Sequence, residues 1–149
     1  MAFGSTFATE SAYAQWKWRA WCQDVATGSR GATFVAVDHS GRFVGMVGAV
    51  SWEGTPIIMG MWTRPEWRNR GIGRKLLKRQ LAWLDKYRRG RPVFLYVNPS
   101  QAGAERMYAT MGFRFSGFEM PLGHDPPAVV RQMVRRPRSR LKPRRARGR

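Results

Sequence analysis

The 149-residue chain has a single cysteine, Cys22, so no internal disulfide can form and nothing argues for an oxidising compartment. No histidine lies near Cys22 in sequence, which leaves its thiol without the neighbouring base that a catalytic cysteine uses. Histidine is scarce too: His39 and His124 fall in stretches that read as turns, no cluster has metal-ligand spacing, and no metal is expected. No apolar run approaches the ~18 residues of a spanning helix. The start, Met1 to Ala14, lacks the basic residues and apolar stretch of a secretory signal. A cytoplasmic protein with no membrane attachment is the expectation. Acids are few, nine against 27 Lys and Arg, for a net charge of +18. Residues 131–149 hold ten of those cations and no acid, so the rest carries 18 − 10 = +8. Such an excess favours anionic ligands such as nucleotides and phosphates, and weak, unselective nucleic-acid binding through the tail.

What is present points to one folded domain. The chain is 43% hydrophobic with seven Trp, enough for a real core. Tyr13, Trp16 and Trp21 have helical spacing over Thr9 to Cys22. Ala32 to Asp38 and Phe43 to Trp52 read as a hairpin across His39-Ser-Gly-Arg42; Gly54-Thr-Pro56 breaks the chain, and Ile57 to Thr63 reads as a third strand. From Gly71 the period changes. Ile72, Leu76, Leu77, Leu81 and Leu84 share one helical face, with a helix to about Arg89 stopped by Gly90 and Pro92. Val93 to Val97 suits a buried strand reached by a crossover, and Ala104, Met107, Tyr108 and Met111 mark a second helix closed by Gly112. Phe113 to Met120 and Val129 to Val134 read as closing strands. The result is an α/β arrangement around one mixed sheet over 1–135, followed by a basic tail, 136–149, too poor in apolar residues to offset its ordering entropy.

Arg68-Asn69-Arg70-Gly71-Ile72-Gly73 lies between a strand and the first turn of a basic amphipathic helix. Amides in that first turn have no intrahelical partner and carry partial positive charge, so they suit a phosphate. Glycines 71 and 73 remove Cβ atoms that would hold a ligand off the backbone, and Arg68, Arg70 and Arg74 add a cationic field. The same pattern also reads as a tight turn with a solvated basic face.

Met61-Trp-Thr-Arg-Pro-Glu-Trp-Arg68-Asn-Arg-Gly-Ile-Gly73 resembles the signature of the GNAT superfamily of N-acetyltransferases, whose core Q/R-x-x-G-x-G/A is matched by Arg68, Gly71 and Gly73. Downstream, Gln101, Ala104, Met107, Tyr108, Gly112 and Phe113 echo the family pattern N-x-x-A-x-x-L-Y-x-x-x-G-F. The resemblance implies a GNAT-like fold with a mostly antiparallel mixed sheet flanked by helices. It implies that acetyl-CoA is the cosubstrate, its pyrophosphate held by the main chain of Arg68 to Gly73. The pantetheine arm is then expected between Met61 to Thr63 and Val93 to Val97, with an amide near Trp62 or Thr63 polarising the thioester. Tyr108 matches the residue that assists the departing sulfur, with hydrogen-bonding to the thiolate as the expected role; by spacing alone it reads equally as a core tyrosine on the apolar stripe with Ala104 and Met107. Glu53 is the carboxylate best placed to act as base, although it also reads as a solvated strand end; Glu66 reads instead as a cap for the loop, and a water chain can replace either. Gln101 replaces the usual Asn, keeping an amide near the cofactor. The acceptor is an amine, on a small molecule or a protein. The family's first strand and helix have no counterpart, which leaves Ala32 to Asp38 an exposed edge unless further upstream sequence or a homodimer partner covers it. Two other readings stand beside the enzyme: a nucleic-acid or ribosome-associated protein using the tail, and a module that holds CoA without catalysis.

Overall fold

A computed structural model describes residues 31–122 and 128–137. The helix expected over Thr9 to Cys22, the loop around His124 and most of the basic tail lie outside the described residues. Within them the order is β1 (Gly31–Val37), β2 (Phe43–Trp52), β3 (Thr55–Thr63), a 3₁₀ turn (Pro65–Trp67), α1 (Ile72–Tyr87), β4 (Val93–Val97), α2 (Ala102–Thr110), β5 (Arg114–Leu122) and β6 (Ala128–Arg135). Six strands form one sheet in the order β1-β2-β3-β4-β6-β5. Only β3 and β4 pair in parallel; the other neighbours are antiparallel. This is the expected mixed, mostly antiparallel sheet, with β1 at one edge of the described strands.

The parallel β3–β4 pair needs a crossover, and α1 supplies it. Its apolar stripe buries Leu76, Leu77, Leu81 and Leu84 against Val47, Ala49, Ile58, Val93, Leu95 and Val97. Tyr108 of α2 joins the same cluster with Phe113, so both helices cover one face of the sheet. Burial of that stripe, at roughly 1.5–3 kcal/mol per fully buried side chain, drives the helix onto the sheet more than its intrinsic propensity does.

Sequence and structure differ at the start of β3. Instead of a break at Gly54-Thr-Pro56, Trp52 pairs with Thr55 and Ser51 with Pro56. The connection is just Glu53 and Gly54, with φ of 49° and 77°. Two positive φ values at the centre of a two-residue loop define a type I′ turn, whose twist matches the flanking strands. Pro56 is accepted because it stands second in the strand, before the pairing with β4 begins at Ile57.

Candidate functional site

The site lies at the carboxyl ends of β3 and β4. Because these strands are parallel, the loops after Thr63 and after Val97 emerge at the same end of the sheet, as they do in open α/β folds that bind ligands there. The first loop is braced from several directions. Arg64 N donates to Val44 O at 2.9 Å, Arg64 Nε to Phe43 O at 3.2 Å, and Arg68 Nε back to Thr63 O at 3.0 Å. Trp62 stacks on Phe43 with ring centroids 5.6 Å apart, and the Arg70 guanidinium lies 5.0 Å over the Trp67 ring. Arg68 thus ties the loop to the strand it leaves, a structural duty beside its charge.

Asn69 and Gly71 have φ of 58° and 77°, and Gly71 is the N-cap of α1. Both positions have left-handed backbone. Lys75 N makes the first bond of the helix, to Gly71 O at 3.0 Å. Among the described residues, the amides of Asn69, Gly71, Ile72, Gly73 and Arg74 have no hydrogen-bond partner, while that of Arg70 closes the turn over Arg68 and Asn69. Arg68 to Gly71 and Arg74 are exposed, so these donors and their cations face solvent together.

The two glycines act for different reasons. A Cβ on Gly71 would meet nothing within 4 Å; the residue is needed for its backbone conformation. A Cβ on Gly73 would stand 3.2 Å from Met61 Cε, 3.6 Å from Met107 Sδ and 3.7 Å from Thr63 Oγ1. Gly73 therefore lets the helix start settle onto β3 and α2, rather than keeping space open for a ligand. Ile72 also turns inward, with its Cγ2 in the space beside Gly45 of β2, so it offers the site its amide alone.

β3 and β4 part beside this loop. Their pairing is confined to Ile57 with Phe94 and Ile58 with Leu95. Further along β3 the register against β2 runs from Gly48 with Met59 to Met46 with Trp62, so Val47 alone opposes both Gly60 and Met61. This is a bulge, with Gly60 at φ 61°. A bulge leaves a residue outside the ladder and bends its strand. No β3–β4 pairing extends to Met61 to Thr63, in keeping with the gap that the family resemblance implies between that stretch and Val93 to Val97. The mark of the bulge in the sequence is Gly60 itself, since a glycine inside a strand is its usual sign.

Tyr108 is buried, 7% exposed, edge-on to Phe113 with centroids 6.1 Å apart. Burial pushes its phenol up to about 12, so the hydroxyl keeps its proton. Its neighbour Met107 touches the space beside Gly73, which brings α2 to the glycine loop. Gln101 begins α2: its carbonyl accepts from the amides of Ala104 and Glu105 at 2.9 and 3.1 Å, and its own amide donates to Asn98 O at 2.9 Å. It stands on the loop after β4, at the same end of the sheet.

Glu53 is not brought into this group. It sits in the β2–β3 turn, at the opposite end of β3 from Thr63, about 30 Å away at strand rise. Glu66 lies in the 3₁₀ turn and pairs with Arg64 at 3.4 Å. Tyr96, the only polar side chain in β4, meets Gln132 of β6 across the sheet.

The acetyltransferase (GNAT) family model matches residues 2–113. No curated protein matches significantly. Solved structures do. A GNAT-family acetyltransferase from Streptococcus pneumoniae aligns with TM-score 0.72 at 17% identity, covering 85% of this chain and 78% of that one. The ribosomal-protein-S18-alanine N-acetyltransferase of Escherichia coli aligns at 0.65 and 19%, covering 79% and 75%. An acetyltransferase from Bacillus anthracis, solved with acetyl coenzyme A, aligns at 0.60 and 16%, covering 72% and 62%. At these identities the likenesses show the fold. The family model, spanning most of the chain, shows more: this chain belongs to the acetyltransferase (GNAT) family.

Proposed function

We propose that this chain transfers an acetyl group from acetyl-CoA to an amine, with the cosubstrate's diphosphate held on the amides of Asn69 to Arg74. One observation carries the reading: at a helix start, five main-chain donors within Asn69 to Arg74 have no partner among the described residues, in a stretch with positive φ at Asn69 and Gly71. A diphosphate satisfies several such donors at once and sits at the positive end of the α1 dipole, with Arg70 and Arg74 beside it. Gln101 stands on the neighbouring loop, where its amide meets the same cosubstrate.

The pantetheine arm then follows the gap between β3 and β4 toward the bulge at Gly60 and Met61. An outward amide between Met61 and Thr63 receives the thioester carbonyl and stabilises the oxyanion as the amine nitrogen bonds to the acetyl carbon. The carbon–sulfur bond breaks, and the electron pair leaves on sulfur. Full proton transfer from a phenol at about 12 to a thiolate of ordinary pKa near 8.5 would be uphill by about 5 kcal/mol, so Tyr108 acts by hydrogen-bonding the departing sulfur. With Glu53 at the far end of β3 and Glu66 tied to Arg64, water takes the amine proton.

The test is CoA binding by wild type, Gly71→Asn and Gly71→Glu. Asn tolerates left-handed backbone and keeps the turn. Glu projects a negative charge into the open space above the amides. Binding should weaken about 100-fold or more in Gly71→Glu and much less in Gly71→Asn. Equal affinity in wild type and Gly71→Glu would remove the reading.

A further inference from the structure

The last β3–β4 pair is Ile58 with Leu95, so Met59 and Tyr96 are the first residues past the point where the strands part. Ile58 and Leu95 lie in the core beneath the helices, and side chains alternate along a strand. Met59 and Tyr96 therefore stand on the opposite face, 39% and 38% exposed. Tyr96 pairs across the sheet with Gln132, whose Nε2 donates to the Tyr96 hydroxyl at 2.9 Å. That bond uses the phenol oxygen as acceptor. The phenol's own proton is left to be given outward, at the head of the gap that the acetyl arm enters.

An outward donor recognises an oxygen, not an ammonium, which has only donors itself. Charge points the same way. Of the carboxylates on the described residues, Asp38 is paired with Arg42, Glu66 with Arg64, Asp85 with Arg135, and Glu105 and Glu119 with Arg131. Glu53 is in the distant turn. None of them faces the gap to hold a polycation, and the whole chain at +18 repels one.

The geometry points to an acceptor that carries a carboxylate beside its amine, an amino acid or acidic peptide rather than a polyamine, received by the Tyr96 hydroxyl. Gln132 is the positioning residue that turns the phenol proton outward. This inference rests on the acetyl-transfer reading and names the substrate class for it.

The experiment measures thiol release from acetyl-CoA by the full chain with amino acids as free acids, the same amino acids as carboxamides, and spermidine. CoA binding is followed in parallel. The free acids should exceed their carboxamides by about tenfold in kcat/KM, the worth of one charge-assisted hydrogen bond at an exposed site. Tyr96→Phe should erase that preference through KM, with CoA affinity held within about twofold. Gln132→Glu draws the phenol proton inward and adds a negative charge, so it should reverse the order in favour of spermidine. Preference for spermidine by the wild type, or an acid preference that survives in Tyr96→Phe, would overturn the inference while leaving acetyl transfer intact. Thiol release with none of these amines despite CoA binding would overturn it too; failure to bind CoA would instead bring down the reading beneath it.

Discussion

Single residues divide sharply between those whose role is set by chemistry and those set by backbone. Glu53 shows the second kind. A carboxylate near a strand end reads as a base until its φ of 49° places it as the first residue of a type I′ turn, a position that favours Asn over Glu. Glu53→Asn should leave thiol release unchanged and stabilise the fold by about 0.5–1 kcal/mol, as measured by denaturant unfolding; a loss of turnover would return Glu53 to the reaction. Tyr108 shows the first kind. Its phenol is raised from 10 to about 12 by burial, so the folded state resists ionisation that the unfolded chain undergoes freely. Stability from this group is whole below pH 10 and falls as pH climbs from 10 towards 12, by about 2–3 kcal/mol. Unfolding measured at pH 9 and 11 should show a smaller loss in Tyr108→Phe than in wild type, while that variant binds CoA normally and turns over about 10- to 100-fold more slowly. An identical pH dependence in the two proteins would mean that the ring ionises without penalty.

At the level of elements, periodicity is the reliable guide. The helical stripe from Ile72 to Leu84 and the short apolar run Val93 to Val97 are both legible, because burial on one face leaves a repeat of 3.6 or 2 in the sequence. Local backbone exceptions leave weaker marks. The bulge at Gly60 and Met61 and the joining of β3 through Pro56 depend on which residue faces which across β2, and no single strand encodes that register. The glycine loop is located by its sequence but only half explained by it: Gly73 serves packing against Met61 and Met107, which requires knowing that α2 arrives there. Helix α1 also carries an inconsistency that its pattern hides. Gln80 is fully buried, and neither amide atom has a hydrogen-bond partner among the described residues. An unsatisfied buried amide costs about 1–3 kcal/mol. Gln80→Met, similar in volume and apolar, should recover that energy and raise the melting temperature by roughly 2–4 °C per kcal/mol. A lower melting temperature would reveal a partner for the amide beyond the described residues.

For the molecule as a whole, positive charge outweighs every other compositional feature, and its two parts separate cleanly. Residues 138–149 hold seven cations, so a chain ending at Pro137 keeps 18 − 7 = +11. The place of the cut matters. Arg135 closes β6 and makes two bonds to Asp85 on α1, at 3.1 and 3.2 Å, so removing everything after Val134 would break the fold's own contact along with the tail. Each phosphate contact contributes about 0.9 to the slope of log affinity against log salt on duplex DNA. If the tail is an electrostatic foot for nucleic acid, ending the chain at Pro137 should flatten that slope by as much as about 6, from seven contacts, while CoA affinity and thiol release stay at wild-type values. Binding to a duplex at several salt concentrations, full length against truncated, decides the point. A slope that does not change would locate any nucleic-acid contact on the folded body, where Lys75, Lys78 and Arg79 stand exposed along α1 beside the glycine loop. Bound there, a duplex would compete with CoA for the loop's cations, and adding CoA would displace it.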